Sequence, residues 1–253
     1  MHPIRSASTG LALAAALALG LTGCAPGSNQ HEAPLATPVT STAADPRAEL
    51  TAALEEINKQ SCRFELVSAV VNAAGTLHPL NLLADMALDM GDGQTMRLLT
   101  IGDDLYLKLG GEQAGDLSDK WLYVNTSKLD DDSDLKIMAD DPGNVRALIK
   151  SIVAVDRTSP GNYAGTVDYT KTAGVDSDLV RMFGDKAASV PFTATVDTEG
   201  RLTGLVIDMT TLDARIGEIK ATYSDFGTPV TVRKPPANEV KDAPPELVKA
   251  FGA

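Results

Sequence analysis

From Cys62 onward, apolar and polar residues alternate with a period of two, and that pattern leaves few architectures open. Phe64, Leu66 and Val70 alternate with Arg63 and Glu65, and Ala84, Met86, Leu88 and Met90 alternate with Asp85 and Asp89. Successive side chains of a strand point to opposite faces, so such a segment buries one face and wets the other. Residues 95–101, 104–109 and 120–125 continue the series. Gly91-Asp92-Gly93 and Gly102-Asp103-Asp104 supply turns between them, which predicts an antiparallel meander. Near the C-terminus, residues 191–197 and 201–209 pair around Glu199-Gly200, and strands are expected at 217–225 and 229–233. Pro235-Pro236 then reads as the end of the sheet, because proline gives no ladder donor.

Helical spacing interrupts this pattern at a few places. Asp45-Pro46 has the form of an N-cap followed by proline in the first turn. Leu50, Leu54 and Ile57 follow on one face, so a helix is expected to about Gln60. Residues 142–152 place Val145, Leu148, Ile149 and Ile152 at helical spacing, and residues 176–185 do so with Leu179, Met182 and Phe183. Strands at 153–157 and 163–170 lie between, and a short helix is expected at 245–251. About ten strands with three or four helices define an α+β fold. One large twisted antiparallel sheet with helices packed on its concave face accommodates them.

The first 46 residues are of a different kind. Arg5 precedes a run of Ala and Leu from Leu11 to Leu21, which ends in Leu21-Thr22-Gly23-Cys24. Charge, apolar run and small residues before Cys24 have the order of an export leader that closes in a lipobox. Cleavage after residue 23 would leave Cys24 to carry acyl chains, and two or more chains hold a protein stably on a membrane. The expected location is therefore the extracytoplasmic face of the cell membrane. Residues 24–46 are small, polar and punctuated by proline, a composition suited to a tether. Extended, it would reach roughly 60–70 Å at about 3 Å per residue. The domain is placed at residues 47–240, with a C-terminal tail at 241–253.

The chain carries a formal charge of −12, which becomes −13 without Arg5. An acidic domain gains nothing from general attraction to nucleic acid or anionic headgroups. With Cys24 acylated, Cys62 has no disulfide partner; it reads as a small buried residue, with a reactive thiol as the sharper alternative. His2 and His31 fall in the leader and tether, which leaves His78, before Pro79, for the domain. No nucleophile elbow, zinc-protease motif or dinucleotide fingerprint is present, so no catalytic residue, metal or cofactor is assigned. The run Asp130, Asp131, Asp132 and Asp134 is read as a solvated loop, with calcium as the alternative; the EF-hand spacing is absent.

Several segments resemble the LppX/LprA/LprF/LprG family of actinobacterial lipoproteins. They are Asp104-Leu105-Tyr106-Leu107-Lys108-Leu109, Lys120-Trp121-Leu122-Tyr123-Val124, and Val190-Pro191-Phe192-Thr193-Ala194-Thr195-Val196-Asp197 with Gly200-Arg201-Leu202. The ending Tyr223-Ser224-Asp225-Phe226-Gly227, Pro229-Val230-Thr231-Val232 and Pro235-Pro236 adds to the likeness, which spans about residues 45–236. The resemblance implies a LolA/LolB-like half-barrel with helices over its open side. It also implies a hydrophobic cavity for an acylated lipid or glycolipid, with a membrane exporter as a further partner.

Under that resemblance the inward strand positions Leu66, Val70, Met86, Leu88, Leu98, Leu107, Val196, Leu205 and Ile207 become lining residues. Leu148, Ile152, Leu179, Met182 and Phe183 would join them from the covering helices. Without it, the same residues read as an ordinary core. The expected function is a lipid carrier or lipid-displaying lipoprotein rather than an enzyme. The alternative is an envelope sensor or adaptor that binds a protein.

Overall fold

The structure, a computed structural model, describes residues 44–130, 133, 135, 136, 141, 145–171 and 183–250. The segments expected to be leader and tether fall outside them up to residue 43, Cys24 included, as do Leu179, Met182 and three of the four aspartates in the acidic run.

Helix α1 (Pro46–Ile57) begins as its sequence predicts. Asp45 is the N-cap, accepting the Arg47 amide at 3.0 Å, and Pro46 occupies the first turn. Leu50, Ala53, Leu54 and Ile57 form its buried face. The strands follow: β1 (Cys62–Val67), β2 (Asn72–His78), β3 (Leu83–Asp89), β4 (Thr95–Ile101), β5 (Asp104–Gly110) and β6 (Trp121–Asn125). After α2 (Val145–Ser151) come β7 (Ile152–Ser159), β8 (Asn162–Val167), β9 (Val190–Val196), β10 (Leu202–Asp208) and β11 (Glu218–Ser224). A three-residue β12 (Val240–Asp242) and α3 (Pro245–Ala250) complete the described elements.

All twelve strands form one open sheet in the order β12-β6-β5-β4-β3-β2-β1-β11-β10-β9-β8-β7. It consists of two meanders, β1–β6 and β7–β11, joined where β1 pairs with β11. Every pairing is antiparallel except that of β12 with β6, so the sheet is mixed rather than wholly antiparallel. The expected large sheet is present; its strand count and its edge differ from the expectation in three ways.

First, β2 escapes the alternation rule. Its sequence, Asn-Ala-Ala-Gly-Thr-Leu-His, has few of the branched or aromatic residues that mark strands. Tertiary packing sets it instead, since β1 and β3 hydrogen-bond to it on both sides. His78 therefore ends a strand. Second, residues 229–233 are not a strand, and Pro235-Pro236 does not stop the sheet. That stretch is part of a crossing strap, and β12 follows the prolines. Third, Ile152 starts β7 rather than ending a helix, and Val70 lies in the β1–β2 turn, 69% exposed.

The two faces of the sheet bury different clusters. The first holds the main core, where α1 packs on β7, β10 and α2, and where Leu247 and Val248 of α3 also pack. One row across it reads Tyr223–Phe64–Gly75–Met86–Leu98–Leu107–Leu122. The second face carries a smaller cluster of Leu99, Tyr106 and Trp121, with Val232 and Val240 against it.

Residues 225–239 form the strap that covers this smaller cluster. They leave β11, beside β1, and reach β12, beside β6. Seven strand spacings of about 4.8 Å make roughly 34 Å, and fifteen near-extended residues span that distance with slack. The strap is fastened at both ends. Ser61 Oγ donates to Thr228 O at 2.6 Å, and the Gly227 amide donates to Ser61 O at 2.9 Å. Lys234 Nζ meets Asp104 Oδ2 at 2.5 Å, and Lys120 Nζ donates to Asn238 O at 2.8 Å. The Lys234 ammonium, and then the Tyr123 hydroxyl at 2.9 Å, hold the Asp104 carboxyl below the usual carboxylate range.

Candidate functional site

The main apolar face is the first candidate site. Leu66, Met86, Leu88, Leu98, Leu107, Leu148, Ile152, Phe183, Val196, Leu205 and Ile207 all belong to its single cluster. Alternation places the strand members there, Val196 included, and a bulge between Leu202 and Gly204 lets Leu202 share their face. Val70 does not join them, because β1 ends at Val67 before the pattern reaches it. Leu179 and Met182 lie outside the described residues. Phe183 stands just before a 3₁₀ turn, Gly184–Ala188, and packs partly buried on the core.

Burial divides the face into two strips. The row through Phe64, Met86, Leu98, Leu107 and Leu122 is closed, with Leu98, Leu107 and Leu122 fully buried. The adjacent row runs Ala221–Leu66–Ala73–Leu88–Met96–Leu109. In it Leu66, Ala73, Leu88 and Leu109 are only half-buried. An aliphatic strip six strands wide is thus left incompletely covered by the described residues.

Polar groups around this face act as fasteners. Asp141 caps α2 by accepting the Val145 and Arg146 amides at 3.1 and 2.8 Å. Glu49 of α1 accepts from Arg157 of β7 and, at 2.8 Å, from the Tyr163 hydroxyl of β8. The Arg157 guanidinium, and then that hydroxyl, lower the Glu49 pKa. Arg47 donates to Ile152 O at 2.6 Å and to Val153 O at 3.2 Å, tying the start of α1 to the edge strand β7. Cys62 is buried, and burial pushes its thiol up to about 11, which disfavours the reactive reading. Among the described residues no group of three His, Cys, Asp or Glu side chains could hold a metal. Among the same residues no helix is long and apolar enough to cross a membrane.

A trough of about 580 Å³ crosses β1 to β5, and its lining is mainly apolar. Its lining centres on the half-buried strip of Leu66, Ala73, Leu88, Met96 and Leu109 and includes their chain neighbours, among them Glu65, Val67, Ala74, Ala87, Arg97 and Lys108. Ala74 and Ala87 are exposed. Arg97 forms one wall, held by Asp85 through two contacts of 3.1 and 2.9 Å. Beyond that pair, Trp121 and the strap begin. Alternation marks Leu66 and Leu88 of this lining as inward; Ala73, Met96 and Leu109 are the members that sequence reasoning missed. Ala73 becomes readable only once β2 is known to lie between β1 and β3.

No protein-family model matches the chain, and no curated protein matches it.

Proposed function

We propose that this chain is a cell-envelope lipoprotein, anchored through Cys24, that binds an acylated lipid or glycolipid and carries or presents it across the envelope. The reading takes the open sheet as a LolA/LolB-like half-barrel, as the resemblance to the LppX/LprA/LprF/LprG lipoproteins implies. The ligand would lie between the main face and its covering helices. Exposing an acyl chain to water costs about 0.8 kcal/mol per CH₂, so a long-chain lipid crossing an aqueous envelope needs such shelter. In this reading the chain acts by binding and has no catalytic residue.

The half-buried strip Leu66–Ala73–Leu88–Met96–Leu109 is the observation that supports it. Leu and Met adapt to a flexible alkyl chain, and Ala73 leaves room beside them. The test uses the full chain carrying C24A, purified without detergent. Organic extraction and mass spectrometry should recover a co-purified lipid, and a fluorescent acyl probe should bind. Leu88→Trp should weaken probe binding about tenfold by filling the strip. Recovery of no lipid together with no probe uptake would sink the proposal.

A further inference from the structure

The half-buried strip opens at one end of the sheet. Leu66 and Ala73 lie one residue in from the β1–β2 turn ends of their strands, and Leu88 and Met96 lie one residue in from the β3–β4 turn ends of theirs. The trough continues past them to the strand ends themselves, Val67, Asn72, Asp89 and Thr95. The next row inward, through Leu98, Leu107 and Leu122, is closed.

Apolar side chains gather at the same rim. Among the described residues five large apolar side chains are exposed, and three of them, Val67, Val70 and Met90, stand here. Val67 ends β1, Val70 lies in the β1–β2 tip (68–71), and Met90 opens the β3–β4 tip (90–94). The two tips are two strand spacings apart, roughly 10 Å. Single exposed apolar residues are ordinary, but a group at the mouth of an apolar trough marks a contact.

Both tips satisfy their own amides. Ser68 N–H donates to Val71 O at 3.1 Å, and the Val70 and Val71 amides donate to Ser68 Oγ at 3.3 and 3.0 Å. In the second tip the Met90 amide donates to Gln94 O at 2.9 Å, the Gln94 amide to Gly91 O at 2.8 Å and the Gly91 amide to Asp89 Oδ1 at 3.0 Å. Water would serve these groups in a solvated turn, whereas a turn that enters lipid must pair them internally. Charge narrows the choice of surface. Residues 68–72 are uncharged, and 89–95 carry only Asp89 and Asp92. An anionic surface would repel these tips, and a zwitterionic one would not.

We propose that the β1–β2 and β3–β4 tips dock the domain on a zwitterionic lipid surface, with Val70 and Met90 in the boundary between headgroups and acyl chains. The choice of partner rests on the reading of the strip as the acyl-chain site. Docked in this way, the trough opens onto the leaflet, and an acyl chain enters it without crossing water. The tether expected before α1, roughly 60–70 Å when extended, lets this rim reach the membrane that holds Cys24.

The test measures co-sedimentation of the full C24A chain with sucrose-loaded phosphatidylcholine vesicles. The C24A parent should bind, and Val70→Asp and Met90→Asp should each lower the partition coefficient about tenfold through lost apolar insertion. Leu80→Asp is the control. Leu80 is 67% exposed, close to Val70, but it lies in the turn Pro79–Asn81 at the opposite end of the sheet. That variant should bind vesicles as the parent does. Unchanged circular-dichroism melts would show that all three variants keep the fold. Added phosphatidylglycerol should weaken parent binding at low salt. cis-Parinaric acid, titrated without vesicles, should bind the three variants as it binds the parent. No vesicle binding by the parent, or equal losses in Leu80→Asp and Val70→Asp, would overturn the docking surface. So would self-association of the parent that Val70→Asp abolishes, because the rim would then face a second copy. Tighter binding with phosphatidylglycerol would overturn the zwitterionic assignment. Vesicle binding without acid uptake would overturn the acyl-chain reading of the strip and leave the docking contact standing. Acid uptake without vesicle binding would do the reverse.

Discussion

At the scale of single residues, burial rather than local charge decides behaviour at Cys62. Its side chain is 2% exposed at the start of β1, beside Leu77. Desolvation disfavours the thiolate, so the folded pKa rises from 9.0 to about 11. The unfolded thiol ionises first as pH rises, so folding loses stability between about pH 9 and pH 11. Urea midpoints measured across that window should fall less steeply for Cys62→Ala than for wild type. A thiol reagent at pH 8 should label the native chain slowly and the urea-unfolded chain fast. Rapid native labelling would show that the thiol is accessible. Val70 teaches the converse lesson: its identity suits a buried strand position, but a turn intervenes at Ser68, whose Oγ receives the Val71 amide at 3.0 Å.

At the scale of elements, β2 is the informative case. Four of its seven positions, Asn72, Ala73, Ala74 and Gly75, carry residues depleted in strands, yet it pairs with β3 along its whole length and with β1 from Asn72 to Leu77. Gly75 explains why a poor strand former is used at its centre. A Cβ there would lie 2.2 Å from Asp85 O and 2.8 Å from Met86 Cα. Both are backbone atoms, so a side chain cannot be accommodated by a rotamer change. Gly75→Ala should destabilise the protein by about 2 kcal/mol or more, as overpacking does elsewhere. Chemical denaturation would measure it, and an unchanged midpoint would refute the close approach. The edge strands are handled differently. β12 covers β6 with three parallel pairs, whereas β7 carries Asp156 and Arg157 and takes the Arg47 side chain on its first carbonyls. Charged or covered edges resist pairing with another chain.

At the scale of the whole molecule, the strap joins the two ends of the first meander across the second face. Its central contact is apolar, with Val232 against the cluster of Leu99, Tyr106 and Trp121. Trp121 is the only tryptophan in the chain and is 7% exposed, so its emission reports whether the strap is seated. Val232→Asp should shift that emission to the red and cost about 1–2 kcal/mol through lost apolar burial. Lys234→Ala should have a smaller effect, because an exposed ion pair contributes little. Emission unchanged in Val232→Asp would mean that the strap is not what shields Trp121.

Alternation is enough to identify most strands, and capping chemistry locates α1. Both signals are local: a period of two fixes which side chains share a face, and Asp45-Pro46 satisfies amides of its own first turn. The same alternation by itself groups Leu66, Met86, Leu88, Leu98, Leu107, Leu205 and Ile207 as inward positions, and all seven lie in the main core. Tertiary structure alone decided the rest. The pairing of β1 with β11 joins residues about 160 positions apart, for which no local pattern exists. β2 forms because two neighbours supply its hydrogen bonds, and the strap stays extended because a distant apolar patch receives Val232. The half-buried strip arises likewise, since Ala73 joins Leu66 and Leu88 only when β2 lies between β1 and β3.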